Sequence, residues 1–100
     1  MPLLISKRIR EKLANKEPPV TEAEIEQCFA NRDGAFLLDV REEHRTNPPT
    51  KWFISETDHG RKLKVVFIKH IDGDHKGSVE IKSAYSPNDT EYRIYNQYAY

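Results

Sequence analysis

The spacing of apolar residues changes along this chain, and each change marks a change of element. Ile5, Ile9 and Leu13 recur at every fourth position among Lys7, Arg8, Arg10, Glu11, Lys12 and Lys16. That spacing stacks them on one side and predicts a short amphipathic helix over residues 6–16 with a basic outer face. Pro18 and Pro19 end it, since proline cannot donate to a helix interior and pushes the residue before it out of helical geometry. Thr21 stands three residues before Glu24, the spacing of a capping box, and Val20 and Ile25 occupy the staple positions around it. A second helix follows, with Ile25, Cys28 and Phe29 as its apolar stripe and Glu22 and Glu24 at the positive end of its dipole. Gly34 is its expected terminator.

From Ala35 the period falls to two. Phe36, Leu37 and Leu38 form a short strand, and residues 41–50, polar and containing Pro48 and Pro49, form a loop. Residues 51–57 read as a strand with Trp52 and Ile54 on one face and Phe53 and Ser55 on the other. Asp58-His59-Gly60 is a turn. Leu63, Val65 and Phe67 then alternate with Lys62, Lys64, Val66 and Ile68, a strand for the middle of a sheet. A turn over Asp72 to Gly77 leads to a strand over 78–85, with Val79, Ile81 and Ser83 on one face and Glu80, Lys82 and Ala84 on the other. Ser86 followed by Pro87 predicts the cap and first position of a last helix, running to about Tyr98 and packed through Ile94, Tyr95 and Tyr98. The fold expected is one α+β domain over residues 1–100: two N-terminal helices, a four-stranded antiparallel sheet with a three-strand meander, and a C-terminal helix. The helices are expected to cover one face, in two layers.

Composition narrows the chemistry. No apolar run approaches the roughly 20 residues of a membrane span, and no leader-like stretch opens the chain, so neither membrane nor export is expected and the expected compartment is cytoplasmic. The 16 basic and 16 acidic residues cancel, which argues against coating nucleic acid by bulk charge. The balance is local, however. Residues 17–26 hold four glutamates and no base, whereas Arg61, Lys62, Lys64, Lys69, Lys76 and Lys82 face only Asp72, Asp74 and Glu80 across residues 61–82.

The single cysteine excludes an internal disulfide, and Cys28 reads as a core residue. His44, His59, His70 and His75 lack metal-binding spacing. Asp72-Gly73-Asp74 begins like a calcium loop, but Ser83 stands where the bidentate glutamate belongs. Four glycines in all leave no phosphate loop. No metal and no cofactor are expected.

The strand residues offer more. Lys62 and Lys64 share a face, Lys82 lies on the next strand, and Trp52, Tyr85 and Tyr92 supply rings, so this face could grip phosphates and stack unpaired bases. The same residues equally make a solvated face whose lysines oppose aggregation.

Taken in order, Ala14 to Phe29 (ANKEPPVTEAEIEQCF), Gly60-Arg61-Lys62-Leu63-Lys64-Val65-Val66, Val79-Glu80-Ile81-Lys82-Ser83-Ala84, and Glu91 with Tyr95 resemble the BrnT family of small toxins in the RelE-like superfamily. The resemblance covers most of the chain and rests on the succession of short motifs. It implies a RelE-like fold and a type II toxin that cleaves RNA or blocks translation, neutralised by an antitoxin. It also implies metal-independent cleavage, in which basic side chains stabilise the phosphorane and a side chain moves the 2′-hydroxyl proton. Arg61, Glu91 and Tyr95 match family positions, with Lys82 and His59 as nearby candidates and Lys62, Lys64, Trp52 and Tyr85 as RNA contacts. Two alternatives stand beside the enzyme. One is a binding module of the same fold without the basic active site; the other is a homodimer through the tyrosine-rich C-terminus. An ADP-ribosyl-dinitrogen-reductase hydrolase, which resembles a much larger all-helical domain with an acidic dimetal site, does not fit in 100 residues.

Overall fold

The structure, a computed structural model, describes residues 2–40 and 46–100. The elements run β1 (Leu3–Leu4), α1 (Lys7–Ala14), α2 (Glu22–Ala30), β2 (Leu37–Leu38), β3 (Thr50–Glu56), β4 (Lys62–Lys69), β5 (Val79–Tyr85) and α3 (Asp89–Tyr98). Among the described residues the strands form one sheet in the order β1-β5-β4-β3-β2. The α+β class and the β3-β4-β5 meander are as expected from the period-two pattern. The sheet is mixed rather than purely antiparallel, because β1 adds a fifth strand parallel to β5, with Leu3 opposite Val79. Two residues are too few to show any period, so this strand is invisible to pattern reading.

Each helix begins at its own chemical signal. Ser6 caps α1, accepting from the Ile9 amide. Thr21 and Glu24 form the expected capping box on α2, and both staple residues, Val20 and Ile25, are buried. The last helix starts two residues later than Ser86-Pro87 suggests: Asn88 is its cap and Glu91 completes a second capping box. A box satisfies two amides reciprocally, whereas proline at the first position satisfies none.

The helices divide between the two faces of the sheet, which corrects the two-layer expectation. Side chains alternate along a strand, and the β3–β4 register pairs Phe53 with Val65, Ser55 with Leu63 and Trp52 with Val66. Phe53, Leu63, Val65 and Phe67 thus share one face, where Phe29 of α2 meets the rings of Phe53 at 4.6 Å and Phe67 at 5.3 Å. There α1 packs on β5, tied to α2 by the Val20 amide donating to the Leu13 carbonyl at 2.9 Å and by Arg10 bridging Glu22 at 3.1 Å. Trp52, Ile54, Lys62 and Lys64 share the opposite face. There α3 lies, its Tyr95 ring 5.6 Å from Trp52. With both faces used, Trp52, Phe53, Ile54 and Ser55 are all buried. Of the three residues expected to pack α3, only Tyr95 is buried; Ile94 and Tyr98 are exposed.

Two further expectations change. In β5 the pairing steps from Ser83 opposite Val66 to Ile81 opposite Phe67, leaving Lys82 as a bulge. The bulge shifts the alternation by one. Ala84 therefore joins Val79 and Ile81 on the buried side, and Ser83 takes the other face with Glu80. Gly34 does not terminate α2, which ends at Ala30 with Asn31 as its C-cap. It makes room for α3 instead: a Cβ at Gly34 would lie 2.6 Å from the Tyr95 hydroxyl and 2.9 Å from the Ala99 Cβ. Gly34→Ala should therefore cost about 1–3 kcal/mol through overpacking, read as a lower urea midpoint with an unchanged slope; an unchanged midpoint would show that α3 shifts freely.

Candidate functional site

The two capping-box glutamates organise the chemistry of this protein. Glu91 accepts from the Asn88 amide through one oxygen, at 3.0 Å. Its other oxygen accepts from the Lys64 ammonium at 2.6 Å and from the Tyr85 hydroxyl at 2.8 Å. Lys64 is buried, with its ammonium 4.5 Å from the Trp52 ring centre and 5.5 Å from that of Tyr85. Burial works to raise the Glu91 carboxyl, but the Asn88 amide, the Lys64 ammonium and the Tyr85 hydroxyl outweigh it and hold the group below the usual range. Burial and the neighbouring carboxylate push Tyr85 up.

The counterpart lies on the other face. Glu24 completes the α2 capping box and meets Arg61 at 3.1 Å. The same guanidinium donates to the carbonyls of Pro18 and Pro19, each at 2.7 Å. Burial opposes ionisation of Glu24 too, and again the hydrogen bonds from Thr21 and Arg61 prevail and lower it.

Arg61 and Glu91, matched to one family site in the sequence, are thus on opposite faces of the sheet, each consumed by a different helix start. Tyr95 is buried and donates to the Ala35 carbonyl at 2.9 Å. Burial, followed by the Tyr100 hydroxyl, pushes it up to about 12, so it holds its proton at neutral pH. His59 is exposed in the β3–β4 turn. Lys82, on the bulge, lies 3.3 Å from Glu80, which also takes His70 at 2.9 Å. The chain does not bring these five candidates to one point.

The four expected RNA contacts are neighbours, but they do not form an open basic face. Trp52, Lys64 and Tyr85 lie beneath α3, with the Lys64 ammonium and the Tyr85 hydroxyl spent on Glu91. Only Lys62 stands exposed, its ammonium 4.7 Å over the Tyr92 ring; the contact with Tyr92, more than the charge of Glu56, raises it. Cys28 is fully buried, and burial pushes its thiol up to about 12, as befits a core residue. His44 lies outside the described residues, and among those described no cluster of metal-ligating groups occurs. Nor is any helix among them long and apolar enough to cross a membrane.

Concavities lie on either side of α3. On one side Phe36, Leu37, Leu38, Val40, Ile94 and Tyr98 form an apolar groove over Trp52. On the other a polar cleft runs along the β3 edge, between the residues that follow α2 and the C-terminal half of α3. Pattern reading missed the groove because Ile94 and Tyr98, four residues apart, look like a core stripe. Leu38 and Val40, apolar at an edge and before a polar stretch, were the available hint.

The Lys64–Glu91 pair makes a measurable prediction. Lys64→Met leaves an uncompensated carboxylate with only 18% of its side chain exposed, and should cost about 2–4 kcal/mol. Because the folded-state group lies below its ordinary value of 4.5, its contribution is complete above that pH and is lost as pH falls through the lower folded value. Glu91→Gln should flatten the acid limb of stability against pH below 4.5, leaving, among the described residues, the parts due to Glu24 and Glu80; an unchanged limb would place the titrating group elsewhere.

Compared with family models, with curated proteins and with solved structures, the chain gives no significant match in any of the three.

Proposed function

We propose that this chain is a domain of the BrnT and RelE-like kind, from the toxin–antitoxin class, whose activity is the binding of a polypeptide partner rather than the cutting of RNA. The succession of sequence motifs and the order of two helices, meander and last helix support the domain type. The observation that carries the activity is the placement of exposed apolar surface. Of the seven large apolar side chains exposed among the described residues, Phe36, Leu38, Val40, Ile94 and Tyr98 line the one groove beside α3. Scattered apolar residues are ordinary on a protein surface, but a contiguous set marks a contact site. Val40 is 80% and Tyr98 65% exposed, a cost in water that a partner's apolar segment removes.

RNA cleavage requires a phosphate-binding cation and a proton-transfer group converging on one reacting atom. Here Arg61 and Glu91 are separated by the sheet, Lys64 is neutralised by Glu91, and Tyr95 keeps its proton. A zero net charge adds no compensating attraction for a polyanion.

Co-expression with the small protein encoded by the adjoining reading frame tests the proposal. A stoichiometric complex is expected. Leu38→Asp with Tyr98→Asp should weaken it at least about tenfold, or roughly 1.4 kcal/mol, with an unchanged melting temperature because both residues are exposed. Metal-independent cutting of RNA by the wild-type chain, abolished in a folded Arg61→Ala variant, would overturn the reading in favour of an endoribonuclease.

A further inference from the structure

Trp52, the only tryptophan of the chain, lies at the floor of the apolar groove with one polar atom left over. Its ring is engaged by Tyr95 at 5.6 Å and by the Lys64 ammonium at 4.5 Å. The indole N–H can only donate. It has no hydrogen-bond partner among the described residues, although the residue is only 9% exposed. That nitrogen is not sealed in, because the one side-chain polar atom both unpartnered and inaccessible among the described residues is the Ser55 hydroxyl. Trp52 borders the groove and not the cleft on the other side of α3, so the open donor faces the groove. A donor set this deep among apolar groups costs free energy until it is met, and in a native protein it calls for an explanation.

An acceptor with spare capacity stands close by. Glu91 also lines the groove. Its Oε2 takes Lys64 and Tyr85, whereas Oε1 takes the Asn88 amide, and a carboxylate oxygen has room for two donors. Lys64, 2.6 Å from the carboxylate and 4.5 Å from the indole ring centre, links the two. Charge then decides what fits. Lys64 and Glu91 cancel, so a carboxylate brought into the groove is repelled by Glu91, and a cation is repelled by Lys64 and leaves the indole donor unmet. A purely apolar side chain leaves both groups bare. A primary carboxamide carries no charge and offers both an acceptor and donors; its oxygen takes the indole N–H while its nitrogen donates to Glu91 Oε1. The open space, about 580 Å³, holds such a side chain together with apolar neighbours. We infer that the groove recognises a glutamine or asparagine side chain set between apolar residues of the polypeptide partner, with Trp52 as the residue that reads it. This rests on the reading of the chain as a binding module and supplies what apolar contacts lack, a directional bond that fixes register.

The probe is the peptide Leu-Gln-Leu, acetylated and N-methylamidated so that the glutamine supplies its only primary carboxamide, titrated into the isotopically labelled full chain. Trp52 gives a single indole cross-peak because the chain has no other tryptophan. A saturable downfield shift of that indole proton is expected. Leu-Met-Leu, similar in size without the amide, and Leu-Glu-Leu, similar in size with a charge, should each bind at least about tenfold more weakly. Trp52→Phe keeps a ring and removes the N–H. Followed through the amides of Leu37, Leu38 and Ile94, it should bind the glutamine and methionine peptides equally, a comparison within one variant that a change in stability does not move. If that variant does not fold, the wild-type peptide series decides by itself. Equal binding of the glutamine and methionine peptides to wild type, a preference for the glutamate peptide, or an indole proton that does not shift would overturn the assignment, as would a glutamine preference that survives in Trp52→Phe. The two proposals fail separately. If wild type shows no carboxamide preference but the co-expressed complex forms and is weakened by Leu38→Asp with Tyr98→Asp, the reading of Trp52 is wrong and the module stands. If the preference holds but no polypeptide partner forms a complex, the carboxamide site stands and the module reading falls.

Discussion

Arg61, the residue before β4, and Lys64 within it are directed to opposite faces of the sheet, and each is held by the glutamate that completes the capping box of a different helix. This arrangement joins the three layers. In both boxes the carboxylate sits where exposed amides and the helix dipole already favour negative charge, so it is positioned before it meets the strand. The cations are suited to their settings. Arg61 reaches two carbonyls and a carboxylate at once, which a planar fork of donors allows. Lys64 is a point charge enclosed by a carboxylate and two ring faces. Exchanging the two residues would leave carbonyls unmet on one face and a bulky fork beneath α3 on the other.

The same device disposes of the groups with catalytic potential. Acid, base and phenol are satisfied internally, and what α3 leaves outward is an apolar groove on one flank and an acidic, tyrosine-walled cleft on the other. The cleft is open because β2 is short: it pairs only with Lys51 and Trp52 of β3. Beyond that point side chains cover the strand edge. The Asn31 amide meets the Glu56 carbonyl at 3.0 Å, and the Tyr95 hydroxyl, besides donating to Ala35, meets the backbone at Ile54. An edge blunted in this way does not recruit another strand.

Much of the fold was legible because its signals are local. Thr21 and Glu24 announce α2, and the alternation from Leu63 to Phe67 announces a central strand. What was not legible depends on contacts distant in sequence. Whether α3 packs on the same face as α1 and α2 is decided by Tyr95 against Trp52, 43 positions apart in the numbering, and no periodic pattern encodes that choice. The start of α3 was misread because Ser86-Pro87 and the Asn88–Glu91 spacing are both valid signals, and the one that satisfies more amides prevails. At the site, four of the residues that the pattern singles out, Lys64, Glu91, Tyr85 and Trp52, meet one another. Their role was not evident, because a lysine on an alternating strand reads the same whether it faces solvent or a buried carboxylate.

The bulge at Lys82 bears on how this chain is compared with others. On either side of it β5 is a regular strand, with Val79 and Ile81 inward before it and Ala84 inward after it. Deleting that one residue would leave every remaining side chain on its present face. Lys82 therefore has the geometry of an insertion into an otherwise unbroken pleat. An alignment that runs through β5 without a gap places half of the strand inside out against a relative that lacks the extra residue. The two halves are best aligned separately, with the gap at position 82.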